Sequence, residues 1–312
     1  MASIINGKFI RDDMTSKAMG GTELLSHRLV DNVPKKHLRD FQIHVSRTTS
    51  KDNTKKQILW CHDLAQDPAV KHLSNGGWKQ YEKIVFVSHW QQETYRKVLG
   101  VPLEHGVVIE NAIDPIPEKK KSSEEIRLIY TSTPHRGLEI LYPVFDILSK
   151  YYSNISLDVF SSFELYGWKQ RDKPYEKLFK ELESHPRIRY HGAQSNDKVR
   201  AALQESHIFA YPSIWKETSC LCLIEAMSAK NICVHPRLGA LEETSMGVTN
   251  IYDSHENPDT HARYFANHLS LAIESINDEK TMSRVDMAKK MCDDKHNLDS
   301  FSSKWVDLLK SL

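Results

Sequence analysis

Two glutamates eight residues apart are the side chains of this sequence that are best placed to do chemistry. Glu217 and Glu225 lie in the segment Tyr211–Lys230, and the second glutamate stands within an apolar run. Proteins seldom bury a carboxylate that has no partner. The pair could bind hydroxyl groups of a ligand, or it could be two solvated acids on an ordinary strand–turn–helix. The segment alone leaves both interpretations open.

The residues around the glutamates predict a strand, a turn and a helix. Ile208–Tyr211 predicts a short buried strand, and a helix is expected from Ser219 onward, with Thr218 or Ser219 as its N-cap. The first backbone N–H groups of a helix have no partner within it, and together with the helix dipole they favour an anion. In this segment the candidate amides are those of Ser219, Cys220 and Leu221.

This layout would suit a ligand that has hydroxyl groups at both ends and a diphosphate in the middle. A nucleotide sugar is such a ligand. Its sugar would lie at Glu217, its diphosphate at the amides and its ribose at Glu225.

Two further positions resemble phosphate-binding turns. Gly20 and Gly21 precede a helical pattern, where glycines allow the backbone to approach a ligand closely, although a tight turn into a helix explains them equally well. Arg136 and Gly137 follow a predicted strand and open a helix. A guanidinium there could bind a diphosphate with two hydrogen bonds. The alternative is a surface arginine on a loop.

Apolar runs alternate with helical patterns in two series, which predicts an α/β protein with two Rossmann-like parallel-sheet domains that face a cleft. We expect an N-terminal domain over residues 1–117, a C-terminal domain over 118–290 and a final helix over 291–312. That helix carries an apolar stripe, which favours packing on the first domain over binding to a membrane surface. Lys119–Lys121 is expected in a solvated linker.

The composition narrows the function classes. With 42 Lys and Arg against 41 Asp and Glu, the net charge of +1 provides no strong field for nucleic acid or anionic lipid. Five cysteines without framework spacing indicate reduced thiols and a cytoplasmic protein, with association at a membrane surface left open. No apolar stretch approaches the ~18 residues of a membrane span, and no hydrophobic signal core stands at the N-terminus.

Several segments in the correct order resemble the retaining nucleotide-sugar glycosyltransferases of family four, which have the GT-B fold. The resemblance covers about residues 18–255, and Ala112 and Lys230 stand where that family usually has glycine. The matching segments are Gly20-Gly-Thr-Glu23, Phe86-Val-Ser-His-Trp90, Asn111-Ala-Ile-Asp114, Ser132-Thr-Pro-His-Arg-Gly-Leu138, His191-Gly-Ala193, the Glu217 to Glu225 pair with Ala226-Met227, and Gly239-Ala-Leu-Glu-Glu243.

The resemblance implies a role for each candidate residue. Glu217 would bind and orient the transferred sugar, and His62 would approach the same sugar, although a purely structural histidine is an equal alternative. Arg136 would neutralise the leaving diphosphate without a metal, since the sequence has no Asp-x-Asp pair. The base would lie against the backbone at Gly192.

The sequence therefore predicts an enzyme that moves a sugar from a nucleoside diphosphate to an acceptor hydroxyl with retained configuration. No cofactor or metal is expected. The acceptor stays open among a glycan, a lipid-linked sugar, a protein and a modified DNA base. Two alternatives keep the same fold, namely a sugar-nucleotide epimerase and a non-catalytic module that binds nucleotide sugars.

Overall fold

A computed structural model describes residues 2–11 and 20–312. In these ranges the strands are β1 (Ala2–Ile5), β2 (Lys8–Arg11), β3 (Phe41–Val45), β4 (Lys56–Trp60), β5 (Lys83–Phe86), β6 (Gly106–Val108), β7 (Ile126–Tyr130), β8 (Ile155–Val159), β9 (Ile188–Tyr190), β10 (Ile208–Ala210), β11 (Ile232–Arg237) and β12 (Asn250–Asp253). The helices are α1 (Gly21–Asn32), α2 (Lys35–Leu38), α3 (His89–Leu99), α4 (Leu138–Tyr151), α5 (Glu176–Ser184), α6 (Asn196–Glu205), α7 (Leu221–Ser228), α8 (Leu241–Thr244), α9 (Pro258–Glu274), α10 (Glu279–Lys295) and α11 (Leu298–Ser311).

The chain divides into two compact units. The first unit contains Met1–Asp114, Glu217–Ser219 and Lys295–Leu312, and the second contains Pro115–Lys216 and Cys220–Asp294. The first crossing from one unit to the other therefore lies between Asp114 and Pro115, at the proline-rich stretch where the strand–helix alternation of the sequence pauses.

The sheet of the first unit has the strand order β2-β1-β3-β4-β5-β6. Strands β3 to β6 are parallel, whereas β1 is antiparallel to both of its neighbours. Asn6 and Gly7 join β1 to β2 with φ angles of 53° and 67°, the left-handed pair that a tight hairpin turn requires. The short N-terminal apolar segment of the sequence is thus one strand of a hairpin.

The final helix, α11, packs in the core of the first unit, as the sequence predicts. Its buried stripe includes Phe301 and Trp305, and the Trp305 ring meets Trp60 of β4 edge to face with centroids 5.1 Å apart. Such contacts between aromatic rings bury a large apolar area. The amphipathic stripe is therefore accounted for by the protein's own core.

The sheet of the second unit has the order β12-β11-β10-β7-β8-β9, and all of its strand pairs are parallel. The alternation of strands and helices predicted for this part of the chain is confirmed, and the predicted strand Ile208–Tyr211 is β10. In the first unit, none of the helices in the described ranges joins the parallel strands β3 and β4, so a ten-residue loop replaces a crossover helix. None of the helices in the described ranges combines the length and apolar character that a membrane crossing requires.

Candidate active site

Helix α7 opens the candidate site of the second unit, and it begins later than the sequence predicts. Its first residue is Leu221 and its N-cap is Cys220, whose side chain makes no capping hydrogen bond. The assignment of Thr218 or Ser219 as the N-cap was therefore wrong. The amides that lack an acceptor within the helix are those at its start, Leu221 and Cys222, because the amides of Leu223 and Ile224 already donate to the Cys220 carbonyl.

The loop after β7 approaches the turn that precedes α7. Gly137 adopts a φ of 108°, and a Cβ atom there would lie 2.1 Å from the carbonyl oxygen of Pro212. Only glycine allows this approach of two backbones. The 3₁₀ turn Pro134–Arg136 directly precedes this glycine, so the contact fixes where the Arg136 backbone lies.

Cys222, in the first turn of α7, contacts the segment after β7 that leads to Arg136. The Cys222 thiol donates to the Thr131 carbonyl at 2.9 Å. A hydrogen bond with Cys220 is the main cause that lowers the pKa of the Cys222 thiol, and the charge of Arg136 acts in the same direction. The second unit thus places a cation beside the first turn of a helix, where the dipole also favours an anion.

Buried hydroxyl groups surround the same edge of the sheet. The Oγ1 atoms of Thr131 and Thr133, after β7, and the Oγ atom of Ser161, after β8, are buried and have no hydrogen-bond partner. Buried polar atoms of native proteins are nearly always paired. Three unpaired hydroxyls at the carboxyl ends of neighbouring parallel strands therefore mark a place for a polar ligand.

Glu225 is buried, with 3% of its surface exposed, and helix α6 supplies its partners. The Asn196 amide donates to both carboxylate oxygens at 3.0 and 3.2 Å, and the Arg200 guanidinium lies 3.6 Å from Oε1. Asn196 and Arg200 are one turn apart, so they share one face of α6. The carboxylate is therefore held in one orientation by helix α6.

Gly192 follows β9 in a loop that is fixed by its neighbours. His191 stacks on Phe160 with centroids 4.3 Å apart and an interplanar angle of 11°, and its Nε2 atom lies 2.7 Å from Asp158 Oδ1. Gly192 itself has a φ of 62°, with open space where a Cβ would be. The backbone is therefore accessible at this point.

In the first unit, His62 lies just after β4. Its ring packs on Trp60 with centroids 4.6 Å apart, and burial lowers the pKa of the ring to about 3. The Nε2 atom is buried and has no hydrogen-bond partner. A neutral imidazole with one unpaired nitrogen could exchange a hydrogen bond with a ligand.

The segment Glu217–Ser219 belongs to the first unit, where Thr218 connects it to His62. Thr218 Oγ1 donates to the His62 carbonyl at 2.8 Å, and Ser88 Oγ donates to the Thr218 carbonyl at 2.6 Å. Glu217, with 4% of its surface exposed, is thus joined through the next residue to the backbone of His62. The hydroxyl that was expected to cap α7 has this tertiary role instead.

Gly20 and Gly21 begin the first helix. Gly20 is the N-cap of α1, with an extended φ of −69°, and Gly21 is its first residue. Any residue can adopt that φ, so Gly20 is not required by backbone conformation. Residues 12–19, which precede it in the sequence, lie outside the described residues.

Residues 111–282 match the model of the family described as "Glycosyl transferases group 1", which is more than half of the chain. The chain belongs to the group 1 glycosyltransferases. Among curated proteins it is 26% identical over 165 residues to a subunit of human phosphatidylinositol N-acetylglucosaminyltransferase, a match that covers 51% of this chain and 33% of the human protein. The chain thus spans about a third of that relative.

Solved structures show that this glycosyltransferase has the GT-B fold. A glycosyltransferase from Rickettsia africae has a TM-score of 0.68 at 16% identity, covering 96% of this chain and 84% of that chain. Anabaena HepE in complex with UDP-glucose has a TM-score of 0.60 at 16% identity, covering 83% and 73%. Sucrose-phosphate synthase from Thermosynechococcus elongatus has a TM-score of 0.64 at 13% identity, covering 82% and 68%.

Within this glycosyltransferase, the predicted residues fall into two groups. Arg136, Cys220, Leu221 and Glu225 come together near the carboxyl ends of the strands in the second unit, with Gly192 after the same sheet's β9. The other predicted residues, which are Gly20, Gly21, His62, Glu217 and Ser219, belong to the first unit.

Sequence reasoning missed the residues that hold the glycosyltransferase's site in position. Asn196 and Arg200 could have been found from their spacing of four residues, which places two side chains on one face of a helix such as α6. Gln91 and Tyr95 fix the turn after His62, because both donate to the Asp63 carbonyl, at 2.9 and 3.1 Å. That contact joins segments far apart in sequence, and no local pattern announces it.

Proposed function

We propose that this glycosyltransferase takes its sugar from a nucleoside-diphosphate sugar and transfers it to an acceptor hydroxyl with retention of the anomeric configuration. The observation that carries the proposal is the second unit's sheet edge. There a guanidinium, the start of a helix and three unpaired buried hydroxyls lie together. Phosphate oxygens are the acceptors that such donors favour.

The residues of the second unit would hold the nucleotide. Arg136 and the amides of Leu221 and Cys222 would bind the diphosphate and stabilise the charge that grows on it as the glycosidic bond breaks. Glu225 would accept hydrogen bonds from the ribose hydroxyls. The base would lie on the backbone at Gly192, where open space is available.

His62 and Glu217 would act on the transferred sugar. Glu217 would accept hydrogen bonds from sugar hydroxyls and orient the ring. His62 would stay neutral at physiological pH, since burial lowers its pKa to about 3, and its unpaired Nε2 atom would exchange a hydrogen bond with the sugar. In this proposal the two residues position the sugar, and neither forms a covalent intermediate.

In the transfer itself, the bond from the anomeric carbon to the diphosphate oxygen breaks and a bond to the acceptor oxygen forms. The acceptor proton passes to the departing phosphate oxygen. Arg136 and the helix start would neutralise the leaving group, so we propose that no divalent ion is needed. The enzyme is proposed to be cytoplasmic, and the acceptor is open among a glycan, a lipid-linked sugar, a protein and a modified DNA base.

A thermal-shift panel of nucleotide sugars tests the donor. UDP-glucose and UDP-N-acetylglucosamine are tested first, because Anabaena HepE was solved in complex with UDP-glucose and the human relative belongs to an N-acetylglucosaminyltransferase. GDP- and ADP-sugars follow. A donor at 100 times its Kd should stabilise the protein by about 2.7 kcal/mol. The matching nucleoside monophosphate, which lacks the diphosphate, is the control. If no nucleotide sugar raises the melting temperature above that control, the proposal fails.

The reaction test uses the donor found in this way. Nucleotide should be released faster when an acceptor is present, NMR should show the donor's anomeric configuration in the product, and EDTA should leave the rate unchanged. Conversion of the sugar without an acceptor would indicate the epimerase instead. Inversion, or loss of activity in EDTA with recovery in Mg²⁺, would contradict the corresponding part of the proposal.

A further inference from the structure

The second unit has a cavity of about 370 Å³ at the amino ends of its parallel strands, and Arg136 lies at the opposite, carboxyl ends. It lies where β7, β10 and β11 begin, and Ala229 and Lys230, directly after α7, border it. Much of the wall is apolar. The apolar side chains include Ile126, Ile232, Ile276 and Met282.

Two of the lysines that line this cavity are neutralised by carboxylates. The Lys119 amine pairs with Glu205. The Lys230 amine pairs with Asp286 and, at 3.2 Å, with Glu118. These two lysines are therefore unavailable as partners for a ligand without breaking an ion pair.

The acids and the histidine of the wall are engaged as well. Glu118 forms an ion pair with Lys230, and Glu125 Oε2 accepts a hydrogen bond from Arg127 Nε at 2.8 Å. His207 Nδ1 accepts from the Arg127 amide at 3.0 Å, so the ring proton is on Nε2 and donates to the Ser122 carbonyl at 2.9 Å. Burial also lowers the pKa of His207, and the ring is neutral at physiological pH.

Lys121 is different, because its amine meets a carbonyl rather than a carboxylate. Its Nζ atom donates to the Lys230 carbonyl at 2.7 Å, and none of the carboxylates in the described ranges forms an ion pair with it. Burial is the main cause that lowers the pKa of Lys121 to about 7. Lys119 and Lys120 are exposed, as expected for a solvated linker, whereas Lys121 is half-buried. An amine in such a place that makes no ion pair is stabilised by an anion that reaches it.

We propose that this cavity binds a small monocarboxylate with an aliphatic tail. The carboxylate would pair with the Lys121 amine, and the tail would lie against the isoleucines of the wall. The charge balance favours one negative charge, because one bound carboxylate would hold the Lys121 amine in its protonated form, whereas the carboxylates of Glu118 and Glu125 would repel a second anionic charge. A phosphate monoester, which carries nearly two charges at neutral pH, is therefore the disfavoured anion.

Methyl NMR of the full chain tests this proposal with hexanoate as the probe. Ile126, Ile232 and Ile276 line the cavity, so their labelled methyl groups report binding directly. Hexanoate should shift these signals saturably. Hexanamide, which has the same shape without the charge, should bind at least about tenfold more weakly, and butyrate should also bind more weakly because it buries two fewer methylenes.

Matched variants test whether the Lys121 amine itself, rather than the rest of the cavity wall, binds the carboxylate. Lys121→Met should weaken hexanoate at least about tenfold, whereas Lys119→Met, in the same wall but already paired, should change it less than about twofold. Hexanamide on the wild-type protein keeps the test decisive if Lys121→Met fails to fold. Equal affinity for hexanoate and hexanamide, tighter binding of a phosphate monoester, or no saturable shift up to about 20 mM hexanoate would overturn the proposal.

Discussion

Gly137→Ala is the substitution whose effect the structure determines most directly. The glycine has a φ of 108°, and an alanine Cβ would lie 2.1 Å from the Pro212 carbonyl oxygen and 2.8 Å from its carbonyl carbon. Both atoms are backbone, so no side chain can rotate away. The variant must separate the loop after β7 from the turn before α7, or bear the clash.

Two contributions, backbone strain and the clash with Pro212, determine how much stability the Gly137→Ala variant should lose. An alanine at a φ of 108° lies outside the left-handed region and costs roughly 1–3 kcal/mol. Relieving a contact of 2.1 Å requires a backbone shift of more than about 1 Å, which we set at a further 1–3 kcal/mol by analogy with overpacked cores. The sum is about 2–6 kcal/mol, or a melting temperature roughly 5–15 °C lower.

Gly247→Ala is the matched control. It belongs to the same unit and has a φ of 71°, but nothing lies within 4 Å of the added Cβ. It should cost about 1–2 kcal/mol from conformation alone. The difference between the two variants therefore isolates the clash with Pro212.

Calorimetry and donor turnover together give the readout. Gly137→Ala should melt well below Gly247→Ala and, assayed below its melting temperature, should lose turnover, because Arg136 directly precedes the displaced glycine. Gly247→Ala should retain turnover. If the two variants melt within about 1 °C of each other, the close approach of these backbones does not exist in solution and the placement of Arg136 derived from it is wrong.

Three other predictions test single side chains. Arg136→Ala should lower kcat/KM by a factor that corresponds to about 2–4 kcal/mol, with partial recovery in Arg136→Lys; wild-type turnover in the alanine variant would remove the residue from the mechanism. Glu225→Ala should raise the donor KM more than it lowers kcat, and Asn196→Ala should raise it on the order of tenfold; an unchanged KM in both would refute the ribose role. His62 has a pKa of about 3 when folded against about 6.5 unfolded, so it takes up its proton first in the unfolded chain, and stability is lost as the pH falls from about 6.5 toward 3. In urea unfolding, wild type should therefore lose up to about 2 kcal/mol more than His62→Phe between pH 6 and pH 4.5, and equal losses would show that the ring is solvated.

The sequence predicts the buried strands well because most of their residues are apolar. The run Ile208–Tyr211 is apolar throughout, and strand β10 occupies Ile208–Ala210 within it. The same holds for the edge of the second sheet, since residues that follow a buried parallel strand must emerge at its carboxyl end. Arg136 was located by that rule, and the structure places it beside the start of α7.

The start of α7 could not be predicted, because a distant segment decides it. Thr218 is a good N-cap by residue type, but its hydroxyl donates to the His62 carbonyl, 156 residues earlier in the chain. A side chain that is engaged in this way cannot also satisfy the first amides of a helix. The helix therefore begins after Cys220, and its unpaired amides are available to a ligand.

The surroundings of charged side chains are equally hard to predict from the sequence, as Lys121 and Lys230 show. A run of lysines beside serines is usually solvated, and the sequence does not reveal that the Lys121 amine meets the Lys230 carbonyl. Lys230 has a φ of 57°, which explains why glycine is usual at this position in the family that the sequence resembles. The lysine bears that strain while its amine pairs with Asp286 and Glu118.

Glu225 shows how a helix can keep a carboxylate within its apolar face. The buried charge is tolerated because Asn196 and Arg200 reach the carboxylate from α6. Removal of either partner would leave a buried charge without compensation, which strongly destabilises a protein. The Asn196 amide bonds both carboxylate oxygens, so the carboxylate has one fixed orientation. In the proposed function, a bound ribose would meet the carboxylate in that orientation. The same partners that allow the fold to bury the carboxylate also orient it, so the stability of α6 against α7 and the affinity for the donor should change together when Asn196 is replaced.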